Sequence, residues 1–231
     1  MEAIILAGGK AERLGDLAGG RPKALVDVAG MPLAAYQVGR LARAGVERVI
    51  ISCAAGQGDL FESELSQLGP EIVSAEEPER LGRGGGIKFA ARERRETGDV
   101  FAMNGDELVD VDFAALVERH RATGAVATIT VARPKSQFGV VELAADDVVE
   151  GFTEAGRVPY WVNCGIYVLT EAAIERFPDR GDHETTTFPE LVRERSLHAF
   201  RHEGLWLTVN TPKELRTAAD HVAAHPEWLA A

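Results

Sequence analysis

The run Ala3-Ile4-Ile5-Leu6-Ala7, closed by Gly8-Gly9, is the feature that most restricts how this chain can fold. It has no polar face, so it suits a strand covered on both sides, as in the interior of a parallel sheet. The glycines directly after it let backbone N–H groups approach a ligand. A polar, Gly-rich loop continues to about Lys23. Leu33, Tyr36, Leu41 and Ala44 then recur at helical spacing, and Gly45 is placed to end that helix. Val49–Cys53 reads as a second buried strand. Asp59 is expected to cap a helix through about Leu68, and Glu71–Ser74 to form a short strand. A second Gly-rich segment, Gly82–Gly86, precedes a helix expected to run to Glu96. Val100–Met103 reads as a strand ending at Asn104-Gly105-Asp106, and Asp112 caps a helix to about Thr123.

This βαβα alternation predicts an α/β fold: a Rossmann-like, doubly wound, mostly parallel sheet between two helix layers. The second half changes character. Val126–Ala132, Gly139–Leu143, Val148–Thr153 and Val162–Leu169 read as strands with few helices between them, which makes the sheet mixed. Thr187–Arg195 and Pro212–Ala224 read as helices. No Ser-, Pro- or Gly-rich linker separates residues 1–125 from 126–231, so one domain is expected over 1–231. Ligands of such sheets bind at the carboxyl ends of the strands. Both Gly-rich segments and the Asn-Gly-Asp turn fall there.

Charge narrows the ligand. The chain has 25 Lys and Arg against 36 Asp and Glu, a net −11. That excludes a general nucleic-acid binder, which needs a basic face. It permits a small phosphorylated ligand, which needs only a local cluster such as Lys10, Arg13, Arg21 and Lys23. Cys53 and Cys164 are far apart and fit a reducing, cytoplasmic setting. No apolar run reaches the roughly 18–20 residues of a membrane span, and MEAIILAGG carries no export leader. No membrane partner is expected, and no hexapeptide repeat suggests a β-helical extension.

Arg13 and Lys10, just past Gly8-Gly9, supply the positive charge that polyphosphate oxygens need, and Lys23 can add a point charge. The segment matches neither GxGxxG nor GxxxxGK[ST], so a tight turn with solvated charges is the plainer alternative. The missing GxGxxG also argues against a nicotinamide dehydrogenase. Gly82–Gly86 runs directly into a helix, the setting of an anion site. Asp106, directly after a buried strand, suits Mg²⁺, which takes only one or two protein carboxylates; an Asx-type turn is the alternative. His120, His198 and His202 are expected on helix or strand surfaces rather than in a metal site. Asp182-His183-Glu184 reads as a polar loop. Trp161, beside Tyr160, either lines a pocket or packs in the core.

Taken in order, these segments resemble the sugar-phosphate nucleotidyltransferases, in particular the small branch of mannose-1-phosphate and heptose-1-phosphate guanylyltransferases. The family opening LAGGxGxRL…PKxLxPVxGxPL is similar to Leu6–Leu14 and Pro22–Leu33. LGTxGAI resembles Leu81–Ile87, NGD is Asn104–Asp106, and FG(V/I)V is Phe138–Val141. GFxEKP and NxGIY resemble Gly151–Glu154 and Asn163–Tyr167, while FPxL and WxDxGTPxxL resemble Phe188–Leu191 and Trp206–Leu215.

The resemblance implies condensation of a nucleoside triphosphate with a sugar 1-phosphate, giving an NDP-sugar and pyrophosphate. It implies a nucleotide-binding half over 1–125 and a sugar-binding half over 126–231. Arg13, Lys23 and Asp106 would be catalytic, with Asp106 on Mg²⁺. Leu6, Ala7, Gly8, Gly9, Lys10, Glu77, Gly84, Gly85, Asn104 and Gly105 would hold the nucleotide. Gly139, Glu154 and Asn163 would face the sugar. Glu76 and Glu77 lie where the family reads the base, and a carboxylate suits the N–H edge of guanine, so GTP is favoured. Four departures stand out. The second metal carboxylate falls at Thr208, the sugar-phosphate lysine falls at Ala155, with Arg157 as a candidate substitute, Ala11 replaces a loop glycine, and Arg83 replaces a small hydroxyl residue. They keep two alternatives open: a regulatory paralogue with weakened turnover, or the same reaction with UTP or another nucleotide and a cyclitol phosphate. A homodimer also stays open.

Overall fold

The computed structural model describes residues 1–136 and 138–228. In chain order its elements are β1 (Ala3–Leu6), β2 (Asp27–Val28), β3 (Met31–Pro32), α1 (Leu33–Arg43), β4 (Arg48–Ala54), α2 (Gly58–Leu65), β5 (Glu71–Glu77), α3 (Gly82–Ala90), β6 (Val100–Asn104) and β7 (Glu107–Val109). There follow α4 (Phe113–Thr123), β8 (Ala127–Ala132), β9 (Val140–Leu143), β10 (Val149–Thr153), β11 (Val162–Leu169), α5 (Glu171–Glu175), α6 (Thr187–Arg193), β12 (Leu197–Arg201), β13 (Trp206–Thr208) and α7 (Pro212–Ala224). Seven strands form the central sheet in the order β12-β8-β11-β6-β1-β4-β5. Neighbours are parallel except at β11, which runs against both β6 and β8. This is the Rossmann-like mixed sheet the pattern predicts.

Strand alternation builds two cores. Ile5, Ile51, Phe101 and Met103 face α1, α2 and α4 through Val38, Leu41, Phe61 and Leu116. Their neighbours Ile4, Ile50 and Ala102 face the other way, onto Ile87 of α3, Ala173 and Ile174 of α5, and Phe188 and Leu191 of α6. Every one of these strands is apolar on both faces, which is why β1, β4 and β6 read as continuous runs. A third cluster, with Val28, Leu33, Tyr36, Leu108 and Val222, docks α7 beside the sheet.

The chain passes from β1 outward through β4 to β5, then returns to β6 on the other side of β1. A crevice opens where strand order reverses, at the carboxyl ends of β1 and β6. α4 carries the expected cap: the Asp112 carboxylate accepts the Ala115 N–H at 3.0 Å. α7 starts with Thr211 accepting the Glu214 N–H, and Pro212 follows in the first turn.

Several expectations need correction. Asp59 does not cap α2. The Glu76 carboxylate does, accepting from Gly56 N at 2.9 Å and Gly58 N at 2.7 Å. Gly82–Gly86 is not a loop but the start of α3 itself. β5 continues to Glu77 rather than ending at Ser74. His120, His183 and His202 are buried, not surface residues. At the end of α7 the His221 and His225 rings stack at 4.2 Å.

Candidate active site

The Asn104–Glu107 turn at the end of β6 is fixed from several directions. Gly105 N donates to Leu6 O at 2.8 Å, and a Cβ on Gly105 would stand 2.7 Å from that oxygen, so the turn requires glycine there. The buried amide of Gln37 on α1 donates to the carbonyls of Asn104 and Glu107, both at 2.8 Å. The Asp106 carbonyl accepts from Val209 N at 3.1 Å. The backbone is thereby held and the Asp106 carboxylate is presented to a cleft of about 300 Å³. Leu6, Ala7, Gly8, Gly9, Asn104 and Gly105 line one wall, with Glu77, Arg80 and Arg83 across from β5 and α3, and Thr208 and Asn210 at the β13–α7 corner.

Lys23 reaches the Asp106 carboxylate at 2.6 Å and also donates to the Asn210 side-chain oxygen. Its ammonium is nearly out of solvent, with the side chain 10% exposed. Behind Asp106, Glu107 accepts from Trp206 Nε1 at 3.0 Å and Asn104 Nδ2 at 3.2 Å. Burial, reinforced by the adjacent Asp106 charge, pushes the Glu107 carboxyl up to about 8, so it is mostly protonated at neutral pH. The Thr208 hydroxyl donates to Glu214 Oε1 at 3.0 Å, and Asn210 N to Glu214 Oε2 at 2.9 Å. The α7 capping carboxylate thus sets this corner.

No group of three or more His, Cys, Asp or Glu side chains converges for a metal among the described residues. Magnesium does not need one: it binds through one or two carboxylates together with phosphate oxygens and water. The Asp106 carboxylate, 35% exposed into the cleft beside the Asn210 amide oxygen, fits that requirement. Threonine at 208 contributes no charge to it.

A second, more polar cavity of about 240 Å³ adjoins the cleft, sharing Lys23, Arg80 and Asn210 with it and adding Lys10, Glu12 and Arg13. Sequence reasoning identified Lys10, Arg13 and Lys23 but not Arg80. Arg21, counted in the same cluster, is instead paired with Glu64 of α2.

Alternation along β5 separates its two terminal glutamates. Glu76 is spent on the start of α2. Glu77 turns into the cleft, where Oε1 accepts from Ser52 Oγ at 2.7 Å and Oε2 from Leu81 N at 2.9 Å. Gly84 and Gly85 lie outside the cleft wall. Their N–H groups donate to the Gly181 carbonyl, and Cβ atoms there would meet His183 N at 2.8 Å and Asp179 O at 2.6 Å. These glycines serve close packing of the 178–183 segment, and their amides do not face the cleft.

The sequence profile described as "Nucleotidyl transferase" matches residues 2–225. This chain belongs to the nucleotidyl transferase family. Among curated relatives of this family member, the mannose-1-phosphate guanylyltransferase catalytic subunit beta of Xenopus tropicalis is 32% identical over 99% of this chain and 68% of its own length. The mannose-1-phosphate guanylyltransferase of Mycobacterium tuberculosis is 33% identical over 96% of this chain and 65% of its own length. Among solved structures, HddC from Yersinia pseudotuberculosis shares the fold with a TM-score of 0.74, at 24% identity over 95% of this chain and 98% of that one. HddC has also been solved complexed with GMP-PN, with a TM-score of 0.72 to this chain.

Of the residues expected to face the sugar, Gly139, Glu154, Asn163 and Arg157 lie outside the walls of both cavities. A Cβ on Gly139 would be 2.4 Å from the Phe152 ring, so that glycine packs against the β9–β10 hairpin. Glu154 is exposed just past β10. Asn163 Nδ2 donates to Tyr167 Oη and Glu184 Oε1, both at 2.9 Å. The same Glu184 oxygen accepts from Arg83 Nη1 at 2.8 Å, joining the start of α3 to β11. Arg157 is not aimed at the cleft: it donates to the backbone carbonyls of Arg133 and Glu203. The Arg133 and Arg201 guanidiniums both stand over the Trp161 ring, at 5.0 and 5.4 Å.

Proposed function

We propose that this chain transfers the guanylyl group of GTP to the phosphate of a sugar 1-phosphate, releasing pyrophosphate. The observation that carries the reading is that one cleft gathers Glu77, the Gly8–Gly9 backbone, Lys23 and Asp106, and adjoins, through Lys23, Arg80 and Asn210, a cavity also lined by Lys10 and Arg13. A purine nucleoside triphosphate presents groups that suit each of these. Guanine offers adjacent N–H donors that suit the Glu77 carboxylate, and the phosphates call for backbone N–H groups and cations. The guanylyltransferase names of the relatives agree with GTP, and mannose 1-phosphate is the acceptor named for them.

The chemistry is an in-line displacement. A phosphate oxygen of the sugar 1-phosphate bonds to the α-phosphorus, and the bond from that phosphorus to the α–β bridging oxygen breaks, its electron pair leaving on pyrophosphate. The protein's task is positioning and charge neutralisation. Lys23 neutralises the α-phosphate, and moving its ammonium from Asp106 toward phosphate frees a carboxylate oxygen. Arg13 holds the terminal phosphates. Asp106 would hold Mg²⁺, which when bound spreads the negative charge of the reacting phosphates. Glu107, neutral and buried, keeps a second negative charge away from the incoming ligand.

Thr208, its hydroxyl committed to Glu214, favours one alternative: a paralogue that binds nucleotide with little turnover. Pyrophosphate release with GTP, ATP, UTP, CTP and dTTP against a panel of sugar 1-phosphates and one cyclitol phosphate decides between them. Turnover with GTP and a hexose or heptose 1-phosphate is expected. Nucleotide binding without release on any acceptor would overturn the enzymatic reading, and turnover that rejects GTP alone would overturn the base assignment.

A further inference from the structure

Arg80 belongs to none of the motifs by which the sequence announces its phosphate site, yet it borders both the main cleft and the adjoining cationic cavity. It stands on the short connection between β5 and α3. That connection is pinned through both backbone groups of Leu81: its N donates to Glu77 Oε2 at 2.9 Å, and its O accepts from Gly181 N at 2.7 Å. The loop that carries Arg80 is thereby fixed to the same carboxylate that faces the cleft.

Charge pairing separates Arg80 from its neighbours. Arg83 is tied to Asp182 and Glu184, Arg21 to Glu64, and Lys23 to Asp106. Lys10 stands 4.0 Å from Glu12, the one carboxylate in the cationic cavity wall. Glu79, next to Arg80 in sequence, is drawn off by Arg180 at 2.9 Å. Arg13 and Arg80 have no ion-pair partner among the described residues. They approach the cavity from different elements, Arg13 from the loop after β1 and Arg80 from the loop after β5.

We propose that Arg80 is a phosphate-binding catalytic residue that grips the β- and γ-phosphates of the nucleotide, and the departing pyrophosphate, from the side opposite Arg13. This rests on the nucleotidyl-transfer reading above. A guanidinium presents several N–H donors in one plane and can bind two phosphate oxygens together. The electron pair of the broken α–β bond ends on pyrophosphate, so donors placed there gain strength as the bond breaks. The α-phosphate, which stays with the product, is left to Lys23 in this assignment.

The test uses the full chain as wild type, R80A and R80K, and compares ligands with and without the terminal phosphates. R80A is expected to raise KM for GTP and, in the reverse reaction, KM for pyrophosphate by about tenfold or more, the scale of a lost charged hydrogen bond. KM for the sugar 1-phosphate, and the affinities for GMP and the GDP-sugar product, stay within about twofold of wild type by the same reasoning. R80K recovers part of the loss, because it keeps the charge but not the fork. Unchanged KM for both GTP and pyrophosphate in R80A overturns the proposal, as does equal weakening of GMP and GTP. If the wild-type chain binds GTP but releases no pyrophosphate, the transfer reading fails. The GMP-to-GTP affinity ratio in R80A then still decides whether Arg80 contacts the terminal phosphates.

Discussion

Glu76 and Glu77 are adjacent in sequence and opposite in use, because successive side chains of a strand point to opposite faces. Glu76 satisfies two N–H groups at the start of α2, and those hydrogen bonds hold its carboxyl below the ordinary value. Glu77 faces the cleft. Glu77→Gln is therefore expected to lower the preference for GTP over ATP, measured as the ratio of kcat/KM values, by about tenfold. Glu76→Gln is expected to lower the thermal midpoint and leave that ratio alone. A ratio insensitive to Glu77→Gln, or sensitive to Glu76→Gln, contradicts the assignment. Both glutamates stand out in the sequence as candidates for reading a base. What sorts them is the extension of β5 through Glu77, and a strand ending at Ser74 leaves the alternation undefined at those two positions. Arg80 escapes sequence reading for a different reason: its availability depends on which neighbouring charges are already paired, and those partners come from distant segments.

The same contrast holds for elements. β1, β4 and β6 are legible because a strand buried on both faces must be apolar throughout. α7 is legible from Thr211, Pro212 and Glu214, a start signal with local hydrogen bonds. The start of α3 is not, since four glycines in its first five residues argue against a helix. Tertiary packing overrides that propensity: the 178–183 segment lies so close that a Cβ at Gly82, Gly84 or Gly85 would meet it within 3 Å. β7 and β13, three residues each, and the five-residue α5 are too short to carry a period. His183, on the segment that presses against α3, stacks on Phe177 at 4.6 Å and meets Phe188 edge-on at 4.7 Å. Neither ring nitrogen has a hydrogen-bond partner, and burial holds the imidazole down to about 4. Between that value and its ordinary 6.5, the unfolded chain takes up a proton that the folded chain refuses. Stability from this site is therefore complete above about pH 6.5 and declines as pH falls toward 4, by roughly 3 kcal/mol at most. His183→Phe fills the same aromatic site and is expected to flatten the acid limb of stability measured by denaturant titration between pH 7 and 4.5. Identical slopes in the two proteins would refute this.

At the scale of the whole molecule, one seven-stranded sheet carries strands from both halves of the chain, and its order places β6 and β11 side by side. Gly165 of β11 lets the halves pack closely: a Cβ there would fall 2.0 Å from Asn104 Nδ2. The site is correspondingly uneven in how it reads from sequence. Gly8, Gly9, Lys23, Asn104 and Asp106 gather in one cleft because each sits at the end of a buried strand or in a loop hydrogen-bonded to one. Glu154, Asn163 and Arg157 belong to a hairpin, a strand start and a loop whose positions depend on long-range pairing, and they stand apart from that cleft. The net −11 describes the solvated shell, while the cavity beyond Lys23 is cationic. The central claim, that this cleft and cavity receive GTP lengthwise, is tested most directly by a crystal structure of the chain with GTP and Mg²⁺. The account predicts the guanine edge on the Glu77 carboxylate, the α-phosphate at Lys23 and Asp106, and the terminal phosphates between Arg13 and Arg80. A base seated away from Glu77, or a triphosphate bound without Lys23 and Asp106, would contradict it.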